Sequence, residues 1–409
     1  MTDITVPRGS SLKIGKVDGN LRLGDGSRIQ PETSGPIEVS GEVLCDGDSQ
    51  IEGSLSCGRF QADDGSVEVA GDLTCETDVR AKRGELEISG SLTARGVEVD
   101  DRLNVGKTAK CDNFDVGGSL EVHDSVIARK VDVGGSFRVR GTAEVDDVDV
   151  GGRVEVDGQV KMSRLDTGGS ATVGGGEITN KIDVGGSFTS TGPLKFGTIE
   201  VGGTVSLEKG GEGRSIDVGG KFVSRGNLSF ESIDVGGTVE ISGNGDGDSV
   251  DIGGQLEVSG DLTLKRDLDI GGKARVGGNL RLQSMDVGGL IEAGQIEAQD
   301  KVDVGGRITT QRGTKARMIE LGGRSEAIGV LVGAKVRIGE RARIEDVYAE
   351  DAMLEEGVRA RNLYFTVGRI ESRCRISGEV LYKNEIEAES DVDFAKPPVK
   401  TEALPKPPI

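Results

Sequence analysis

The chain has 409 residues, with 50 Lys and Arg against 70 Asp and Glu, a formal net charge of −20, 67 glycines, no Trp and one His. So acidic a balance argues against nucleic acid as a direct partner, because phosphate binding needs a basic face, and no apolar run is long enough to cross a membrane as a helix. At 34% hydrophobic residues the composition alone would suit a disordered chain, a reading that only an ordered internal repeat overrules.

Residues 1–12, MTDITVPRGSSL, carry neither the charge nor the one-sided apolar pattern of a membrane-surface helix and read as a short N-terminal tail. A run of related phrases follows, IEVSGEV from Ile37, VEVAGDL from Val67 and LEISGSL from Leu86, at irregular spacings. The N-terminal turns are therefore expected to be less uniform than the rest. Cys45, Cys57 and Cys75 stand in GEVLC, GSLSC and GDLTC, where later repeats place Val122, Val139 or Val156. They read as small buried hydrophobes, with metal ligation or a disulfide as the alternatives; Cys57 and Cys75 fall where adjacent turns would stack them. With Cys111 and Cys374 the count is five, an odd number that, with no recognisable signal peptide, suits a reducing cytoplasm.

From Gly117 the pattern becomes strict. A Gly-Gly pair begins at Gly117, Gly134, Gly151, Gly168, Gly185, Gly202, Gly219, Gly236, Gly253, Gly271, Gly288, Gly305 and Gly322, every step being 17 residues except the 18 from Gly253 to Gly271. Three residues before the first glycine the column is always apolar, from Phe114 and Val131 to Ile319. One residue before it the column is Val, Ile or Leu except Thr167, and three after it the column stays apolar until Ser325. Spacing of two between apolar positions is strand geometry, and paired glycines at a strand end suggest a bend with unusual dihedrals. Seventeen residues divide into three short strands with corners. The expected fold is thus all-β, a single right-handed, three-sided parallel β-helix over residues 13–394. That span gives about 22 turns and a rod on the order of 100 Å at about 4.8 Å per turn.

Two residues before the first glycine stands an acid: Asp115, Asp132, Asp149, Asp166, Asp183, Glu200, Asp217, Asp234, Asp251, Asp269, Asp286, Asp303 and Glu320. Between two inward residues it should point outward, about 5 Å from its stacked neighbours. The local explanation is an Asx-type bond to the amide two residues on, holding the corner. The alternative is a cation-binding or salt-tolerant face, with Asp183, Asp217, Asp234 and Asp251 as the candidate ladder. Thirteen equivalent carboxylates do not make a catalytic site, and no cofactor is expected. His123 follows the inward Val122 and should face solvent, which removes the usual general base from enzyme readings.

From Val330 the Gly-Gly corner disappears and all three tyrosines appear, Tyr348, Tyr364 and Tyr382, at spacings of 16 and 18. They could stack as part of a bulkier final core. Alternatively, with Phe365, they form an aromatic assembly surface. Residues 395–409, AKPPVKTEALPKPPI, hold five of the nine prolines and read as a disordered, polyproline-like tail. That tail could dock on a membrane-associated protein partner.

A long cytosolic β-helix without a catalytic cluster, followed by a proline- and lysine-bearing tail, resembles the bactofilins, the polymer-forming cytoskeletal proteins. The phrases RARIEDVYAEDAMLEEGVRARNLY and CRISGEVLY look most like archaeal members, the halofilins. The resemblance implies a right-handed β-helix that polymerises end to end without nucleotide and influences cell shape. The chain departs from the short bacterial type, which has about a third as many turns and in many members a membrane-targeting segment not found here. Exposed strand edges at the ends of a β-helix point the same way. The competing functions are an extracellular adhesin or surface-structure protein, and a β-helix enzyme of acyltransferase or polysaccharide-lyase type. The even repetition of side chains counts against the enzyme.

Overall fold

The structure is a computed structural model describing residues 2–409. Every regular element among them is a β-strand, and no helix is long and apolar enough to cross a membrane. Strands pair in parallel with their counterparts one repeat later, which makes a β-solenoid of about 23 turns with about 17 residues per turn. Its contacts group into two compact units that meet in sequence between Gly203 and Thr204.

In the first unit the pairing has three strand positions per repeat. Gly96–Val99 pairs Asn113–Val116, Arg102–Val105 pairs Ser119–Val122, and Ala109–Lys110 pairs Val126 and Ile127. The steps before this are uneven, as the irregular phrases suggest: Leu21 aligns with Val43, and Val39 with Cys57. In the second unit the extra residue of the 18-residue step falls between Leu264 and Leu268, since Gly247 aligns with Leu264 but Val250 with Leu268. Farther on the step shortens to 16, aligning Leu331 with Val347 and Val347 with Leu363.

Alternation places the expected columns inside. Phe114, Phe137, Phe188, Phe222 and the aliphatics stacked with them are buried, in a core of small side chains and few rings. Thr167, the polar exception, is also buried and donates its hydroxyl hydrogen to the Gly152 carbonyl at 2.9 Å, so its polarity is satisfied. All five cysteines are buried and free. Cys57 and Cys75 lie in register with Sγ atoms 3.2 Å apart. Burial pushes the Cys45 thiol up to about 12, while the contact with Cys57 and then burial push the Cys75 thiol up. Neutral buried thiols behave as the hydrophobes the valine comparison suggests.

The structure corrects the sequence expectations in three places. The Gly-Gly pairs do not need unusual dihedrals: none of them is among the positive-φ residues. They are needed because turns stack closely. A Cβ on Gly134 would lie 2.2 Å from the Gly117 carbonyl oxygen, and one on Gly237 would lie 2.1 Å from that of Gly220. Next, the N-terminal stretch is not a tail up to residue 12: Ile4–Val6 already pairs with Leu21–Leu23, and Ser11–Ile14 with residues 28–31. Finally, pairing continues past Phe394, for Val399 and Lys400 align with Leu381 and Tyr382. That part of the segment expected to be disordered belongs to the solenoid, and no strand forms after Lys400.

Candidate functional site

Two surfaces concentrate the exposed chemistry, and the first is the acidic ladder. In the first unit Asp115, Asp132, Asp149, Asp166, Asp183 and Glu200 align in register. In the second, Asp217, Asp234, Asp251, Asp269, Asp286, Asp303 and Glu320 do the same. The acid does not hold the corner. The amide it was expected to cap is taken by the previous turn: Gly134 N–H donates to Val116 O at 2.9 Å and Gly236 N–H to Val218 O at 3.2 Å. The corner is a backbone ladder, and the carboxylates are left to their neighbours.

Those neighbours differ along the chain. Four residues before the glycine pair stands a cation in some turns: Lys130 meets Asp132 at 3.0 Å and Arg164 meets Asp166 at 2.7 Å. Lys181 bridges Asp183 and Glu200, both at 2.8 Å, and Lys301 bridges Asp303 at 2.8 Å and Glu320 at 2.6 Å. The hydrogen bonds to Asp303 and Glu320 push the Lys301 ammonium up. In the turns between, the same position holds Ser215, Ser232, Ser249, Asp267 and Ser284, and Asp217, Asp234, Asp251, Asp269 and Asp286 form no ion pair among the described residues. Partial burial, then Asp251 and Asp286, raise the Asp269 carboxyl above its usual range. Of the four carboxylates singled out from sequence, Asp183 thus belongs with the neutralised turns, and Asp217, Asp234 and Asp251 with the bare run. The signal that separates them, the residue two before the acid, was present in the sequence. No cluster of three or more His, Cys, Asp or Glu able to hold a metal ion occurs among the described residues. His123 is exposed, with Nε2 3.4 Å from Glu121.

The second surface lies in the last turns. Tyr348 and Tyr364 are in register, with ring centroids 4.6 Å apart and planes tilted by 34°. Tyr364 donates its hydroxyl hydrogen to Glu379 at 2.7 Å, and burial together with that carboxylate raises its phenol. Arg361 grips Asp346 in a two-point pair at 2.8 and 2.7 Å, which holds the Asp346 carboxyl below its usual range. Tyr382 does not extend the stack: the step here is 17 residues, one short of the tyrosine spacing, which aligns Tyr382 with Phe365 and puts Leu381 beside Tyr364. Phe365 is fully buried and belongs to the core, not to an exposed assembly surface.

Over the tyrosine pair lies the segment expected to be a loose tail. Thr401 N–H donates to Tyr382 O at 2.9 Å, and a turn closes on the Thr401 hydroxyl, which accepts from Ala403 N–H at 3.3 Å. Leu404, Pro405 and Pro407 then line a cleft of about 390 Å³ together with Ala316, Val332, Ala349, Tyr348 and Tyr364. Ile409 ends against Gly313, its Cδ1 2.8 Å from where a Cβ would stand. The sequence shows the prolines but not the groove, because the groove is made by residues from four different turns. Compared with family models, with curated proteins and with solved structures, the chain matches none.

Proposed function

We propose that this chain is a non-enzymatic cytoskeletal scaffold that assembles end to end into nucleotide-independent filaments in the cytoplasm, in the manner of the bactofilins. In this reading the solenoid is right-handed and three-sided. The handedness follows from the preference of parallel crossovers, and the sides follow from the three strand positions per repeat.

The observation that carries the reading is the pair of terminal turns. Ile4–Val6, Ser11–Ile14 and Lys16–Val17 each pair on one side only, with the turn that follows. In the last turn Asp393–Phe394 and Val399–Lys400 likewise pair only backwards. Such edges present rows of unused N–H and C=O groups, and no helix among the described residues covers them. The two turns also differ in charge. The first carries Arg8, Lys13 and Lys16 against Asp3 and Asp18. The last, residues 383–400, carries five acids, Glu385, Glu387, Glu389, Asp391 and Asp393, against Lys383, Lys396 and Lys400. Unlike ends favour a head-to-tail contact, the arrangement that propagates without closing.

The test is electron microscopy and sedimentation of the purified chain without nucleotide. Filaments are expected, and Glu385→Lys/Glu387→Lys is expected to shorten or abolish them. Single particles at all protein concentrations, or filaments that form only with added ATP or GTP, would overturn the proposal.

A further inference from the structure

We propose that the tyrosine-lined groove is a docking site for the proline-rich segment Leu404–Ile409, and that this segment is exchangeable, so that the segment of a second copy takes the groove in trans.

The fit of segment to groove is metric. The groove runs over the in-register column Leu381, Tyr364, Tyr348, Val332 and Lys315, four steps of about 4.8 Å, or about 19 Å. Six residues in polyproline conformation advance about 3.1 Å each, again about 19 Å. From the turn at Ala403 the segment therefore reaches from the Tyr382 turn back to Gly313, where Ile409 is found. Gly313 has φ +125 and no side chain, so Ile409 packs where any other residue would stand in the way. Aromatic-lined grooves accept such preformed extended segments at low entropic cost.

The contact is built to be released. After Lys400 the segment forms no strand, so no backbone ladder holds it. Leu404 and Ile409 are only half-buried, and the residues between them are exposed. The three residues 401–403 form a turn on which the segment can swing out. A short element joined by a hinge to a site that recognises it is the arrangement from which exchange between identical copies arises. The inference does not depend on end-to-end assembly, because it concerns the groove of one copy.

The test uses a fluorescent peptide of residues 399–409, VKTEALPKPPI, and anisotropy titrations against the full chain. Leu404→Asp/Ile409→Asp should empty the groove without touching the solenoid. Because a tethered segment competes at an effective concentration near millimolar, this variant is expected to bind the peptide about tenfold or more tighter than the parent. Adding Tyr348→Ser should remove that binding while the circular dichroism spectrum stays unchanged, and a scrambled peptide of the same charge should not bind. Excess unlabelled peptide should also abolish energy transfer between one copy labelled beside Ile409 and another labelled beside Val332. Equal binding by parent and tail variant, equal binding of the scrambled peptide, or absence of intermolecular transfer would overturn the proposal.

Discussion

The bare run of the acidic ladder makes a quantitative demand. Asp217, Asp234, Asp251, Asp269 and Asp286 form four neighbour contacts at the spacing of parallel strands. Two unit charges about 4.8 Å apart in water repel by about 0.9 kcal/mol. With a Debye length of about 8 Å at 0.15 M and about 3 Å at 1 M, about 0.5 and about 0.2 kcal/mol remain. Four contacts then cost about 1.9 kcal/mol at physiological salt and about 0.7 kcal/mol at 1 M. Replacing only Asp234 and Asp269 with Asn removes all four. Urea unfolding followed by far-UV circular dichroism should show the double variant more stable than the parent by up to about 2 kcal/mol at 0.15 M NaCl. That advantage should shrink by about 1.2 kcal/mol at 1 M. Asp132→Asn/Asp166→Asn provides the contrast: both carboxylates have a basic partner within 3.0 Å, so the substitution should give no gain. Since no side chain caps the corner, Ser in place of Asn should respond to salt in the same way. An identical salt dependence of parent and Asp234→Asn/Asp269→Asn would refute the reasoning, because the ladder's charge would then carry no weight in the folded state.

Two further outcomes follow from particular distances and pairs. Gly237→Ala, with its new Cβ 2.1 Å from a carbonyl oxygen, should lower stability by about 1–3 kcal/mol. The adjacent Gly236→Ala, at 3.0 Å, should cost clearly less in the same denaturation assay. Asp346 has a lowered folded pKa, so its pair with Arg361 contributes stability above the ordinary carboxylate pKa, and this is lost as the pH falls through the folded value. Asp346→Asn should therefore cost about 1–2 kcal/mol near neutrality, discounted for the half-exposed Arg361. The difference from the parent should vanish well below about pH 4. Asp269, with a raised folded pKa, has the opposite sign: its contribution is present at low pH and is lost as the pH rises through the folded value.

The sequence by itself determined the repeat, the inward columns and the parallel stacking, because a strand's side chains alternate with period two and a solenoid writes that alternation once per turn. It placed Phe114 and Val131 inside, Asp115 and Asp132 outside, and Cys57 next to Cys75, all in register in the structure. What it left open depends on contacts between turns. The glycine pairs follow from how near one backbone passes to the next, which no single turn records. The cation two before the acid is legible in the sequence, but that one lysine serves the acids of two turns, as Lys181 and Lys301 do, appears only once the turns are stacked. The register that separates Tyr382 from Tyr364 follows from the length of one turn, 17 residues where the two tyrosines stand 18 apart. The fold of the proline-rich segment was the least legible, because its partner is a groove assembled from Gly313, Val332, Tyr348 and Tyr364. Those residues lie far apart in the chain and become neighbours only when the turns are stacked.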